Sequence, residues 1–336
     1  MNDISVELNK LTDALITNEH VSSIGLIALG GSHAYGLATD TSDIDLRGFA
    51  IPSKDDILEL FDFEQIMLPE SDVCVYSLAK ACNLLLACNP NMVELLGLHP
   101  TSVLITSPIY EELISHKEWF ISKQAGSTFG GYASAQLRRI QNAMARDGGT
   151  KRITDAAMRS LNAAIDAFPE RYPSYQTDSC SLKLDDSDKE HPRILVNLHI
   201  DDFPATELRS MTNELDAINK QANNLGKNRR KEDIKLSKHA SHLLRLLRMG
   251  IEILNDGEVN TYRTTDAQLL LDIKQGKYLY ETDDGTRAFA QEFWELIDEA
   301  EAKFSEAKET SKLPENGDCN AVKAFIRKHH LNALSR

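Results

Sequence analysis

The chain has 336 residues, 42% of them hydrophobic, and carries 51 Asp or Glu against 37 Lys or Arg for a formal net charge of −14. Its size suggests two domains with an ample core, its composition is that of a soluble globular protein, and an evenly spread charge of this sign would repel a long polyanion. No apolar run reaches spanning length, and Asn2, Asp3 and Glu7 stand where a leader would be basic and then apolar, so the cytoplasm is the expected location and no membrane partner is expected. The five cysteines (Cys74, Cys82, Cys88, Cys180, Cys319) form no Cys-x-x-Cys pair, which argues against a disulfide framework or a zinc site and for buried thiols.

Ile4, Leu8, Leu11 and Leu15 recur at helical spacing and predict an amphipathic helix over the first fifteen or so residues. An apolar run over residues 24 to 30 then reads as a core strand and ends in Gly30-Gly31-Ser32, small residues that let backbone N–H groups approach an anion. After a loop comes Asp43-Ile44-Asp45, where alternation on a second strand sends both carboxylates to one face, with Ile44 and Leu46 on the other. Two acids this close call for a cation between them, and Mg²⁺ suits a site that takes carboxylate and phosphate oxygens together.

Strand, Gly-Ser turn and Asp-x-Asp on the next strand resemble the nucleotidyltransferase superfamily of DNA polymerase beta. Within it, Gly30-Gly31-Ser32-His33-Ala34-Tyr35-Gly36 and Ser42-Asp43-Ile44-Asp45-Leu46-Arg47-Gly48 are most similar to the predicted nucleotidyltransferases of RNA-repair gene clusters. The resemblance implies an α+β fold: a small mixed sheet with flanking helices as catalytic core over residues 1–106, then a mainly helical region over 107–336 carrying a β-hairpin. It also implies transfer of a nucleoside monophosphate from a nucleoside triphosphate to an acceptor hydroxyl. Two Mg²⁺ ions would be held by Asp43, Asp45 and a third acid, with Mn²⁺ as a substitute. Gly31, Ser32, His33 and Ser42 are the candidate nucleotide contacts beside them, with His33 equally readable as packing in the turn.

Pro52-Ser53-Lys54-Asp55-Asp56 marks a turn and a helix start capped by Ser53. Ser71 to Tyr76 is β-rich and puts Asp72 at the head of a strand; the resemblance makes it the candidate third carboxylate, with Asp62 and Glu64 as fallbacks and a surface acid as the bland alternative. Leu78 to Leu86 reads as a helix, and Asn89-Pro90 caps the next, which holds Glu94 among apolar neighbours as either a buried, paired acid or part of a solvated face. Arg47 shares the face of Asp45 and reads as a structural partner of the site acids. Residues 108–122 and 127–146 read as helices, closed by Gly148-Gly149, with a break at Pro169 to Pro173. Ser179 to Leu184 and Arg193 to Ile200 read as a hairpin across a polar link.

Between Lys227 and Arg248 eight Lys or Arg face only two acids, one basic strip in an acidic body. The helix expected over 229–254 has an apolar stripe, while Lys235, Lys238, His242 and Arg245 fall on an adjoining face. Alone, such a face is solvated; with the Asp-x-Asp motif, Lys238, His242 and Arg245 become candidate contacts to the triphosphate or to an acceptor's backbone. Further helices are expected over 266–276, 286–309 and 319–334, with a polar link over 306–318. The resemblance favours RNA as acceptor, a tRNA end or a repair substrate, while the acidic remainder also permits a protein or small molecule. Two other classes compete: a serine hydrolase, disfavoured because Ala34 stands where the nucleophile turn needs glycine, and a nucleotide-binding module without turnover.

Overall fold

The computed structural model describes residues 4–39, 42–58, 63–67, 72–146, 149–176, 179–185, 193–223, 233–283 and 286–335. The N-terminal third builds α1 (Ile4–Ile16), β1 (Val21–Leu29), the single turn α2 (Gly31–Ala34), β2 (Asp45–Pro52), α3 (Lys54–Leu58), β3 (Gln65–Met67) and β4 (Asp72–Ser77). It continues through α4 (Leu78–Leu86), α5 (Pro90–Val93), β5 (Val103–Thr106) and α6 (Pro108–Ser115). The five strands form one mixed sheet in the order β3-β4-β2-β1-β5. β1 lies antiparallel to β2 and β5, while β2 and β4 run parallel in a register that pairs Asp45 with Asp72.

Burial explains this arrangement. Leu11 and Leu15 of α1 share a core with Ile27, Leu29, Ile44, Leu46, Val73 and Val75. Each such side chain contributes about 1.5–3 kcal/mol on burial. The helix starts follow capping chemistry: the Asp56 N–H donates to Ser53 Oγ, the Lys80 N–H to Ser77 Oγ and the Asn91 N–H to Asn89 Oδ1.

The rest is mainly helical: α7 (Gln124–Arg146), α8 (Gly149–Asp166), α9 (Phe168–Arg171), the hairpin β6 (Cys180–Asp185) and β7 (Arg193–Leu198), α10 (Ala205–Asn223) and α11 (Asp233–Asp256). Then come α12 (Ala267–Lys274), β8 (Leu279–Glu281), β9 (Arg287–Phe289), α13 (Gln291–Thr310) and α14 (Cys319–Leu334). The α+β architecture, the small mixed sheet and the hairpin match the sequence-based expectation.

Two compact units emerge, one of residues 1–134, 241–272 and 295–336, the other of 135–240 and 273–294. This differs from a linear cut at 106/107, because C-terminal segments return to the sheet-bearing unit through contacts that have no local sequence signature. The second unit has its own core, with Leu161, Phe168, Met211 and Leu215.

Several local expectations are corrected. β2 starts at Asp45, so Asp43 lies in the irregular segment before the strand. Residues 287–289 pair with β8 before α13 begins, α13 continues to Thr310, and α9 passes through Pro169, which sits in its first turn where no N–H is needed. All five cysteines are free, and Cys319 is exposed rather than buried. Among the described residues no helix is long and apolar enough to cross a membrane.

Candidate functional site

The segment from Gly30 to Gly36 turns the chain at the end of β1. The Gly30 N–H donates to the Asp45 carbonyl at 2.8 Å, which ties the turn to the head of β2. Gly31 sits in the left-handed region at φ +52°, and a Cβ there would overlap the Asp45 carboxylate. Only glycine meets both demands, so the carboxylate rests directly against the turn. The Leu37 N–H donates to the Ser32 carbonyl at 2.8 Å and closes the loop.

The other sequence-predicted residues fall in distinct places. Ile44 and Leu46 are buried, so Asp43, exposed, and Asp45, half-buried, take the opposite side. Asp72 is the backbone partner of Asp45 on β4; its side chain lies outside the described residues. Asp62 lies outside them as well, and Glu64 is an exposed acid paired with Lys80 at 2.8 Å. Ser42 closes a turn by accepting from the Thr39 N–H at 2.9 Å. His33 is half-buried, and its Nε2 is buried without a hydrogen-bond partner. On α11, Lys238 is exposed and belongs to the second unit, His242 is half-buried, and Arg245 is 92% buried in the first unit. The burial of Arg245 rules out the solvated-face alternative for that residue.

No group of three or more His, Cys, Asp or Glu side chains able to hold a metal ion occurs among the described residues. The oxygen-only pair Asp43 and Asp45, the glycine turn a Cβ would fill and the orphaned His33 Nε2 nevertheless suit a hard cation and an anionic ligand.

Beneath the loop lies a buried polar cluster. Glu94, 1% exposed in the 3-10 turn Glu94–Gly97, accepts from the Tyr35 hydroxyl and from Arg47 Nη1 at 3.1 Å. The Arg245 guanidinium stacks 3.7 Å over the Tyr35 ring. Burial pushes the Glu94 carboxyl up against the opposing pull of Arg47 and Arg245, and it pushes the Tyr35 hydroxyl well above its usual range. Burial also works against the charge on Arg47, but Glu94, Tyr35 and Asp45 outweigh it and hold its proton more tightly than usual.

A distant segment braces this cluster. The Arg263 N–H donates to the Tyr35 carbonyl at 3.0 Å, Thr261 Oγ1 donates to the Glu94 carbonyl at 2.6 Å, and the Tyr262 ring packs on Gly36. Arg263 is itself held by Glu252 (2.7 and 2.9 Å) and Asp266 (2.8 and 2.9 Å). Sequence reasoning found Arg47 and Glu94 as possible partners but gave Tyr35 no role, although it stands inside the Gly-Gly-Ser-His-Ala-Tyr-Gly motif. Residues 261–263 carry no sequence signal that places them here.

Residues 5–156 match the model of the family described as the RNA repair pathway DNA polymerase beta family. The chain is also similar to an uncharacterized 38.9 kDa protein encoded in the nrdC–mobD intergenic region of Enterobacteria phage T4, at 24% identity over 320 residues, covering 82% of this chain and 88% of the relative. No solved structure matches.

Proposed function

We propose, on the premise that residues 5–156 belong to the polymerase-beta nucleotidyltransferases of RNA repair, that this chain moves a nucleoside monophosphate from a nucleoside triphosphate to a hydroxyl of RNA. The observation that carries the reading is the Asp45 carboxylate resting against the left-handed Gly31 at the exit of β1, with Asp43 two residues before it. Such transfer is an in-line displacement at the α-phosphorus with pyrophosphate leaving, so positioning and charge neutralisation do most of the work.

Asp43 and Asp45 would hold Mg²⁺, and Asp72, beside Asp45 in the strand register, would complete the set. When bound, the two ions neutralise phosphate charge and lower the pKa of the attacking hydroxyl. Gly31 and Ser32 would hold the β- and γ-phosphates and His33 Nε2 would donate to them. His242 would add a neutralising contact, while Arg245 acts through Tyr35 to set the loop.

The test supplies purified protein with each α-labelled triphosphate, Mg²⁺ and total cellular RNA. Label in RNA, abolished by EDTA and by Asp45→Asn, is the expected result. Label in protein or small molecules overturns the RNA acceptor, and no transfer with any triphosphate overturns the enzyme.

A further inference from the structure

Tyr262 does more than pack on Gly36. Its ring is 42% exposed and pairs with the exposed His99 imidazole at a centroid distance of 5.0 Å and a tilt of 36°. The two rings line one wall of a cleft of about 420 Å³, together with Asn260, Glu252, Thr264 and Thr265. That volume accepts a nucleoside within the size range of small-ligand sites.

Charge then narrows the ligand. Among the described residues the only Lys or Arg lining the cleft is Arg263, which is gripped in bidentate fashion by Glu252 and again by Asp266. With its cation internally neutralised, the cleft is a poor seat for phosphate. Exposed aromatic faces beside an amide and hydroxyls suit a neutral planar ring, because every base offers a π-face for stacking and a polar edge for hydrogen bonds. The cleft also adjoins the proposed phosphate loop: a Cβ on Gly36 would lie 2.8 Å from the Tyr262 ring, and the next residue, Arg263, is hydrogen-bonded to Tyr35.

The geometry points to a nucleobase site on His99 and Tyr262, with Asn260 reading the base edge. This inference rests on the proposed transfer reaction for its setting, and the base belongs either to the incoming triphosphate or to the RNA end.

Calorimetry on the full chain with Mg²⁺ distinguishes these sources, using the four nucleoside triphosphates, inorganic tripolyphosphate and a short RNA oligonucleotide as titrants. Tyr262→Ala is expected to weaken binding of the occupant by on the order of tenfold, His99→Ala by several-fold, and Tyr262→Phe by little, since the base would lose a stacking face that phenylalanine still offers. Asn260→Ala should change the ranking among the four bases. Tripolyphosphate affinity should stay constant in every variant. Weakened triphosphate assigns the cleft to the incoming base, and weakened RNA assigns it to the acceptor. Equal loss for tripolyphosphate and nucleotide in Tyr262→Ala, with His99→Ala silent, would mark a purely structural ring and overturn the site. Unchanged affinities, or wild-type protein that binds neither nucleotide nor RNA, overturn it too. Binding that follows the cleft variants without any transfer would sink the reaction and leave the cleft standing, whereas transfer with unmoved affinities would sink the cleft alone.

Discussion

The two sides of the Gly30–Gly36 loop are built on opposite principles. On the open side, Asp43 and Asp45 are at least partly solvated, follow one another along a single stretch of chain and meet a glycine turn. On the buried side, Tyr35, Arg47, Glu94 and Arg245 come from four separate segments and are joined by hydrogen bonds to Glu94 and by the stacking of Arg245 on Tyr35. The difference teaches that neighbouring acids on one stretch of chain can stay hydrated, while charges drawn together from distant segments are tolerated under burial only because they pair.

The largest expected effect tests the open side. Asp45→Asn should lower transfer by on the order of 10³-fold, as loss of a group aimed at transition-state charge does, while the melting temperature moves little because the side chain is half-buried. Equal loss of stability and rate would break the distinction between the two sides.

Glu94→Gln tests the buried side in the opposite sense. Arg47 would lose its paired carboxylate and Arg245 a nearby opposite charge, so stability should fall by about 3 kcal/mol in denaturant titration. A stable variant lacking only activity would place Glu94 among the chemical groups instead.

Asp266→Asn probes the brace and adds a pH signature. Burial opposes ionisation of Asp266, but hydrogen bonds and charge from Arg263 and Arg248 outweigh it and hold the carboxyl below its usual range. A carboxylate depressed on folding contributes stability above its unfolded pKa of about 3.9 and loses it as pH falls through the lower folded value. The variant should therefore be less stable by about 2–3 kcal/mol at pH 7. The gap should close progressively below about pH 4, measured by chemical denaturation across pH. A gap independent of pH would show that packing, not charge, holds the brace.

Gly31→Ala connects both sides. The positive φ costs about 1–2 kcal/mol, and the added methyl displaces the Asp45 carboxylate. Transfer should fall about 100-fold, more than stability alone accounts for. A proportionate fall in both would mean that Asp45 needs no fixed position.

The strands, the capped helices and the hairpin were legible because local periodicity and turn chemistry dictate them. Leu78–Leu86 formed as its apolar pattern demanded, and β6 and β7 paired as their alternation predicted. The start of β2 was misread by two residues, because alternation continues through Asp43 although ladder pairing does not. The surroundings of Arg245 are not legible in the sequence at all. Helical spacing places a cation on a face, but only the packed neighbours decide whether water or a tyrosine ring covers that face.

Short-range order in the chain determined the glycine turn and the acids beside it, since backbone strain and side-chain alternation act over a few residues. The return of Thr261, Tyr262 and Arg263 to the loop, more than 200 residues downstream of Gly30, was decided only on folding. Those contacts give the Tyr35 and Glu94 carbonyls their donors, and pairing over such a distance leaves no periodic trace in the sequence.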